Sequence, residues 1–431
     1  MGQRNCGDNS RWSVGLLFAA LLSGCGGSSM SPGSMNPSPP TNMNQTVPPA
    51  VAQAMNAGTP VNPSLVTADN AFALNLFQNL NSGASGNFAI APISVAMALQ
   101  ILYNGAAGTT QQAMAQTLQL GAMSTSDLNN ANAALQASLM NADPNVKIII
   151  ANSLWVHLNS TPVLASFTQM DTTYYGATVG DLAGAPADVN NWVSSETSGL
   201  ITTILPGNFN ANAVTSVIAN VIYFKGQWTT PFDPSQTQSE NFTLSGGSAV
   251  SAPMMHESGT FAYLAGADFQ AVRLPYGNGR LSMLIVLPNA GTSLSSFVAG
   301  TTLGAINGWI GQMQSAYGDV VLPRFTATYG VSLPPALTAL GMGVAFCPNP
   351  ADFSALATQP TCVSDVEHKT VVEVDETGTV AAGATGVVSV PTAVAQPMYT
   401  ITMDHPFLYA ILDDQSGEFL FIGALMNPTT G

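Results

Sequence analysis

The sequence predicts an α+β fold with large β-sheets. Apolar residues recur at helical spacing early in the chain, at Phe72, Leu76 and Leu80, whereas later segments have the apolar and β-branched runs of strands. Helices that precede strands, rather than alternating with them, are typical of α+β domains. Because the 431-residue chain shows no repeat and no second linker, we predict one domain over residues 67–431.

Helix and strand signals follow one another along this domain. After the helix around Leu76, Ser94 begins a second helix over residues 95–103, which Asn104 and Gly105 end. Thr109 and Thr110 begin a third. Strands are predicted at residues 146–156, 217–224, 269–274, 281–287, 363–374 and 419–425.

The composition is acidic and poor in charge. Only 7% of residues are charged, and 8 Lys and Arg stand against 23 Asp and Glu, a formal net charge of −15. So few cations argue against nucleic acid, heparin-like polyanions or anionic lipid as partners. The longest apolar runs are shorter than 18 residues, so the sequence predicts no membrane-spanning helix.

The N-terminus has the features of an export signal over residues 1–24. Arg4 and Arg11 precede an apolar core at residues 14–22, and the tetrapeptide LSGC that ends at Cys25 resembles a bacterial lipobox. We therefore predict a lipoprotein whose Cys25 carries the lipid. An ordinary secretory signal is the alternative.

Location follows from the residue after Cys25. It is Gly26 rather than Asp, which predicts sorting to an outer membrane, facing either the periplasm or the exterior. Residues 25–66 are rich in Gly, Ser, Pro, Asn, Met and Thr, so we predict a disordered tether there. The membrane would then be contacted only through the lipid.

Two cysteines remain in the folded part, Cys347 and Cys362. They lie 15 residues apart in a loop-like, Pro-rich stretch of an exported chain, which favours a disulfide over two free thiols. In the chain-entropy treatment, closing a loop of this size contributes about 3 kcal/mol.

A long uncharged stretch, residues 377–402, follows the acidic pair Asp375 and Glu376. A surface loop of this length ordinarily carries charges, and a buried strand is ordinarily shorter. A segment that is small and apolar on both faces tolerates burial on either face. It therefore suits a loop that functions by becoming a strand.

Signatures of catalysis are missing from the sequence. The four histidines, His157, His256, His368 and His405, are scattered, and no Gly-x-Ser-x-Gly elbow, Cys-x-x-Cys pair or phosphate-binding loop occurs. The sequence therefore predicts no enzyme, no metal and no cofactor.

Several motifs together resemble the serpin family. In order they are NFAIAPIS (87–94), LYNGA (102–106), ANSLWV (151–156), NWV (191–193), TSGLI (197–201), NVIYFKGQW (220–228), PF (231–232), HK (368–369), DHPF (404–407) and FIG (421–423). They extend over nearly all of the chain after the tether. The resemblance implies a large central sheet, two further sheets, eight or nine helices and an exposed reactive loop near the C-terminus.

By this resemblance the uncharged stretch is the reactive loop. Its hinge comprises Glu376, Gly378, Thr379, Ala381, Ala382, Gly383, Ala384 and Thr385. Residues 381–385 lack the Pro or charge that non-inhibitory members tend to carry there. Counting along the loop places the reactive bond at Thr392–Ala393, although a shift in alignment would move it to Ala393, Val394 or Ala395. Every candidate is small, which favours elastase-like proteases.

The family also has a polar cluster, the shutter, that governs opening of the central sheet. Ser94, Asn220 and His368 occupy matching positions, while Ala91 stands where a serine is usual. A histidine with an ordinary pKa near 6.5 would make loop release pH-sensitive. A plain surface position for His368 is the alternative.

The implied function is suicide inhibition of a serine endopeptidase. The protease forms an acyl-enzyme on the loop, and the freed loop then inserts into the central sheet with the protease attached. The protein would be a monomer apart from this covalent complex. Two alternatives are a non-inhibitory serpin-fold binding protein and an inhibitor of cysteine proteases.

Overall fold

The computed structural model describes residues 47–83, 86–379 and 396–430. The α-helices in these ranges are α1 (Pro49–Ala57), α2 (Pro63–Asn81), α3 (Pro92–Gly105), α4 (Gly108–Thr117), α5 (Thr125–Met140), α6 (Ala165–Tyr174), α7 (Ala187–Glu196), α8 (Leu294–Gly300), α9 (Leu303–Gln312) and α10 (Pro334–Leu337). The described part thus has ten helices where the resemblance implied eight or nine.

The strands form two sheets. They are β1 (Phe88–Ile90), β2 (Val146–Val156), β3 (Thr178–Asp181), β4 (Ser216–Gln227), β5 (Gln238–Thr243), β6 (Ala249–Ala265), β7 (Phe269–Tyr276), β8 (Leu281–Pro288), β9 (Gln314–Pro323), β10 (Phe325–Ser332), β11 (Asp365–Val374), β12 (Gly378–Thr379), β13 (Thr400–Thr402), β14 (Phe407–Asp413) and β15 (Glu418–Leu425). The predicted α+β class with large sheets is confirmed. All six predicted strands are present, although β11 begins two residues after its predicted start.

The six-stranded sheet has the order β10-β11-β12-β4-β2-β3. Most of its neighbours are antiparallel, including the eleven residue pairs between β2 and β4, but β11 and β4 run parallel to each other. The two-residue strand β12 lies between β11 and β4 and is antiparallel to both. This sheet contains Asn220 and His368 of the predicted shutter, together with the residues that the resemblance assigns to the start of the loop.

The other strands form one nine-stranded sheet, where the resemblance implied two separate sheets. Its order is β1-β15-β14-β8-β7-β6-β9-β13, with β5 paired to β6. The cause is the 17-residue strand β6, which pairs with β9 over Met254–Tyr263 and with β7 over Ala262–Ala265. One long strand thereby joins what would otherwise be two sheets.

Helix α3 is central to the core. Residues 92–103 are all buried, because the helix is apolar on nearly every side and packs against strands of both sheets. Ser94 lies at its N-terminal end, facing β4. The position of α3 therefore places this hydroxyl at the back of the six-stranded sheet.

Helix α1 corrects the predicted tether. It begins at Pro49, and its Val51 and Ala54 are buried against Ala133 and Ala137 of α5. A nine-residue helix is marginal on its own, so packing against α5 rather than local propensity accounts for it. The prediction of disorder through residue 66 is wrong for α1 and for the start of α2. Residues 25–46 lie outside the described ranges.

The described residues contain no helix with the length and apolar character needed to cross a bilayer.

Candidate functional site: hinge and shutter

The hinge begins where the chain turns back into the six-stranded sheet. Asp375 forms the turn: its Oδ1 accepts hydrogen bonds from the backbone N–H groups of Thr377 (2.8 Å) and Gly378 (3.1 Å), and its own N–H donates to the Gly378 carbonyl (2.9 Å). An Asp side chain that bonds the backbone two residues on is a common turn device. The turn points the chain between β11 and β4.

Gly378 is required by this geometry. Its φ is +152°, and a Cβ added there would lie 2.1 Å from the carbonyl oxygen of Gly226 on β4. No side chain fits at that distance. The glycine therefore permits the close backbone approach with which β12 begins.

Three hydrogen bonds from Trp228 and Phe232 to backbone carbonyls of residues 375–377 hold the turn. The Trp228 indole Nε1 donates to the Asp375 carbonyl and its backbone N–H to that of Thr377, both at 2.9 Å, while the Phe232 N–H donates to the Glu376 carbonyl at 2.8 Å. The Trp228 ring stacks on Tyr276 at 4.4 Å between centroids. The turn is thus hydrogen-bonded to a tryptophan that is itself held by stacking on Tyr276.

Glu376 is held by side chains. Its carboxylate pairs with Arg324 and accepts a hydrogen bond from the Thr237 hydroxyl at 2.6 Å. Burial raises the pKa of Glu376, but the hydrogen bonds from Arg324 and Thr237 outweigh burial and hold that pKa below its ordinary value. The carboxylate is therefore charged at neutral pH.

Thr379 lies inside the sheet. It is 1% exposed, its Cα pairs with those of Val374 on β11 and Gly226 on β4, and its Oγ1 is 2.7 Å from the hydroxyl of Tyr276. The described part of the hinge ends here. The predicted positions Ala381, Ala382, Gly383, Ala384 and Thr385 and the predicted reactive bond Thr392–Ala393 lie outside the described residues.

Between β12 and their direct pairing, strands β11 and β4 have a stretch in which they are not paired with each other. They pair directly only from Asp365 opposite Val217 to Lys369 opposite Val221. Within the described residues, the next four positions of the two strands, 370–373 and 222–225, form no ladder with each other. The two strands are therefore unpaired next to the hinge and are joined directly only at residues 365–369 and 217–221.

The shutter residues come together where this direct pairing ends. His368 lies opposite Asn220, one pair before the last. The Asn220 side-chain N–H₂ donates to Ser94 Oγ at 2.5 Å and to the Ser94 carbonyl at 2.7 Å, while its Oδ1 accepts from His368 Nδ1 at 2.9 Å. All three residues are completely buried. Their side chains join α3, β4 and β11.

Asn152 belongs to the same network. It lies opposite Asn220 on β2 and its Oδ1 accepts from the Asn220 amide at 2.5 Å. Sequence reasoning missed it, although the quoted motif ANSLWV contains it. It also missed Tyr276, Trp228, Arg324 and Thr237, because their contacts depend on strands distant in sequence.

The environment of His368 corrects the predicted pH sensitivity. The ring is buried, which lowers its pKa from 6.5 to about 3, so it is neutral at physiological pH. Its Nε2 accepts a hydrogen bond from the backbone N–H of Ala91 at 3.1 Å, so the ring proton is on Nδ1 and is donated to Asn220. The alternative of a surface position is also wrong. Ala91 lacks a hydroxyl but joins the network through its backbone.

Cys347 and Cys362 form a disulfide, with their Cα atoms 5.3 Å apart. The bridge flanks the parallel pair Phe346 and Val363. The Cys362 carbonyl accepts a hydrogen bond from the Ser216 hydroxyl at 3.0 Å. The disulfide loop is therefore attached to the first residue of β4, at the end of the sheet opposite the hinge.

Among the described residues, His405 and His256 pair with carboxylates. His405 bonds Asp404 through Nδ1 (2.7 Å), and its Nε2 is 2.6 Å from the Pro288 carbonyl, so both ring nitrogens are engaged. His256 Nε2 pairs with Glu240. Within the ranges the structure describes, no group of three or more His, Cys, Asp or Glu residues is arranged to hold a metal ion.

Comparison with known proteins identifies the family. The family model described as "Serpin (serine protease inhibitor)" matches residues 67–428. The chain is a serpin. It is 31% identical to a serpin-like protein of Thermococcus kodakarensis, over 96% of this chain and 98% of that protein, and 31% identical to serpin B9 of Homo sapiens, over 85% and 100%.

Solved serpins share the fold. The thermophilic serpin tengpin in its native state matches with a TM-score of 0.78 and 27% identity, over 85% of this chain and 95% of that one. Human thyroxine-binding globulin in complex with its hormone matches with a TM-score of 0.76, also at 27% identity, over 85% and 100%. Serpins are in general inhibitors of serine proteases rather than enzymes, and some are non-inhibitory.

Proposed function

We propose that this serpin is a suicide inhibitor of serine endopeptidases that cleave after small residues. The protease's serine oxygen attacks the Thr392 carbonyl, the bond to the Ala393 nitrogen breaks, and Thr392 becomes esterified to the protease. The released N-terminal part of the loop then enters the six-stranded sheet as an extension of β12. One observation carries the proposal: the chain already enters this sheet at Gly378 and Thr379.

The register of β12 specifies where an extended strand would run. Thr379 lies opposite Val374 and Gly226, so continuing both antiparallel ladders brings Thr385 opposite His368 and Asn220 together. The inserting strand must therefore part the two shutter residues and replace their mutual hydrogen bond. A threonine hydroxyl at that point offers both a donor and an acceptor to the separated partners.

Alternate residues of the inserted strand would face the core. They continue the side of Thr379, and the neighbouring inward positions, among them Val372, Thr370 and Ile222, are buried. The inward-facing loop residues would be Thr379, Ala381, Gly383, Thr385, Val387 and Ser389. None is charged, so none imposes the cost of burying a charge.

The energy of insertion is large enough to trap a protease. Each inserted residue satisfies backbone groups of its neighbours at about 0.5–1.5 kcal/mol net per hydrogen bond, or on the order of 10 kcal/mol over the strand. This is comparable to the stability of a whole domain. Pulling on the acyl-enzyme can thereby displace its oxyanion hole, and loss of one donor there slows such chemistry about 100- to 1000-fold.

The N-terminal sequence supports a lipid-anchored form. We propose that Cys25 carries the lipid, that the protein is at an outer membrane, and that residues between the lipid and α1 act as a spacer. Mass spectrometry of membrane fractions, with Cys25→Ser as the comparison, tests this: the variant should leave the membrane fraction.

A non-inhibitory binding role is the second candidate. It is favoured by the likeness to thyroxine-binding globulin, a serpin whose structure contains a small molecule. Inhibition of cysteine proteases through the same loop is a third. The three are separated by incubation with pancreatic elastase, trypsin, chymotrypsin and papain, followed by denaturing electrophoresis.

We expect an SDS-stable complex with elastase and a released peptide that begins at Ala393. A complex with papain alone would instead indicate the cysteine-protease role. No complex with any of the four, while the loop remains intact or is merely cleaved, would refute inhibition.

The variant Thr379→Arg tests insertion itself. It removes the hydrogen bond to Tyr276 and puts an unpaired charge into a buried position, so β12 cannot form or extend. We expect the variant to be cleaved as a substrate with little or no covalent complex. Thr168→Arg, on an exposed position of α6, is the matched control and should trap normally. Wild-type complex yield from Thr379→Arg would exclude the insertion mechanism.

A further inference from the structure

Met398 is unusually exposed for a large apolar side chain. Its relative exposure is 79%, whereas the other exposed large apolar residues of the described chain reach at most 40%, at Met140. Such a side chain has no packing role. Exposed apolar surface that folding leaves in water frequently marks a contact with a partner.

The backbone at Met398 is firmly held, so a loose chain does not explain the exposure. Its N–H donates to the Tyr317 carbonyl at 2.8 Å. The next residue, Tyr399, is buried and stacks on Tyr263 at 3.8 Å between ring centroids, and Ile401 is fully buried. Tyr399 and Ile401 thus face inward, whereas Met398, two residues before β13, faces the solvent.

Met398 is also close to the proposed reactive bond along the chain. It is five positions after Ala393, so the Cα atoms of the two residues lie at most about 18 Å apart even if the chain is fully extended. A standard protein interface covers about 800 Å² per partner, which corresponds to a disc of roughly 16 Å radius. A protease centred on the bond therefore reaches the neighbourhood of Met398.

The surroundings of Met398 match the composition of an interface anchor. Gln396 and Thr400 beside it are exposed and polar, and Asp319 lies opposite Thr400 on β9. Binding energy in interfaces concentrates in a few apolar or aromatic side chains within a polar rim. Methionine is enriched at interfaces and adapts its flexible thioether to the partner's shape.

We propose that Met398 is a contact residue for the docked endopeptidase, which it touches on the C-terminal side of the reactive bond. This inference rests on the proposed inhibitory function and assigns it a residue that determines specificity. Met398 would act on formation of the initial complex and not on loop insertion, because it lies beyond the bond that is cut.

The test compares Met398→Ala, Met398→Leu and, as a matched control, Met140→Ala on α5. The association rate constant and the stoichiometry of inhibition are measured with pancreatic elastase, or with whichever protease of the panel forms the complex. We expect Met398→Ala to associate about 5- to 30-fold more slowly at unchanged stoichiometry. Met398→Leu and Met140→Ala should remain within about twofold of wild type.

The outcomes separate this inference from the proposed function. Normal covalent complex with an unchanged rate for Met398→Ala overturns the contact and leaves inhibition intact. If Met398→Leu associates with the protease as slowly as Met398→Ala, the contact is not an apolar one and the inference is overturned. If the wild-type protein forms no complex with any protease, inhibition fails and the contact fails with it.

Discussion

The two ends of the space between β11 and β4 are closed in different ways. At the hinge, a third strand is already present, fixed by backbone hydrogen bonds to Trp228 and Phe232 and by the hydroxyl contact between Thr379 and Tyr276. At the shutter, the two strands pair directly and neutral, buried side chains join them. A strand therefore already lies between β11 and β4 at one end, whereas direct pairing closes the space at the other.

This difference divides the roles of the two regions. Changes at the hinge should act mainly on whether the loop proceeds into the sheet. Changes at the shutter should act mainly on the stability of the uncleaved protein, because the network there connects α3, β2, β4 and β11. The following expectations test that division, from the largest effect to the smallest.

Cleavage within the loop should give the largest effect. If cutting lets β12 extend past the shutter, about 10 kcal/mol of new strand pairing is gained. For a chain of this size, roughly 2 °C per kcal/mol corresponds to a rise in Tm of about 20 °C or more. Calorimetry of intact and protease-nicked protein measures it. Coincident melting curves would mean that the hinge end is not poised to extend.

Asn220→Ala should be the most damaging single substitution at the shutter. It leaves buried polar groups of Ser94, His368 and Asn152 without their partner, at about 3 kcal/mol of unfolding free energy. Urea unfolding of the intact protein measures the loss. Asn212→Ala, at an exposed position, is the control and should be neutral. A loss below about 1 kcal/mol would show that the shutter contributes little to the stability of the uncleaved protein.

The shutter should also lose stability in acid. Because His368 is neutral in the folded state down to about pH 3 but binds a proton near pH 6.5 when unfolded, its contribution is complete above pH 6.5 and is lost as pH falls toward 3. The stability advantage of wild type over His368→Gln should shrink by about 2 kcal/mol between pH 7 and pH 5.

Comparing the two proteins isolates His368 from other groups. Burial raises the pKa of Asp69 and Asp171 to about 7, so these carboxyl groups add stability as pH falls, with the opposite sign. Both the wild type and His368→Gln retain these carboxyl groups, so their effects cancel in the difference in unfolding free energy between the two proteins. A difference that is constant with pH would show that His368 titrates alike in both states.

Tyr276→Phe should have the smallest effect. It deletes only the hydroxyl that contacts Thr379 and should cost about 1 kcal/mol in the intact form while raising the fraction of loop that is cleaved without trapping. The control is Tyr263→Phe, which deletes a half-buried hydroxyl bonded to Gln270. If Tyr276→Phe matched Asn220→Ala in stability loss, the hinge and the shutter would not differ as described.

Much of the fold was predictable because its signals are local. Strands such as β2 and β8 contain continuous apolar runs, at residues 148–151 and 283–287, which can be recognised without knowledge of the neighbouring strands. The order of motifs led to the family, and the family placed Ser94, Asn220 and His368 in one cluster before their contacts were visible. Helix α1 escaped because its nine residues are too short to give a strong local signal, and its stability depends on packing against α5.

The sequence by itself determined the α+β class, the serpin family and the uncharged loop, since each depends on residues near one another in the chain. Only the tertiary structure decided that His368 is neutral, that Asn152 shares the shutter, that β6 joins two sheets, and that Thr379 is already inside the sheet. The physical reason is burial. The pKa, the hydrogen-bond partners and the strand neighbours of a residue depend on segments that are distant in sequence, such as those of Ala91 and His368, which are 277 residues apart.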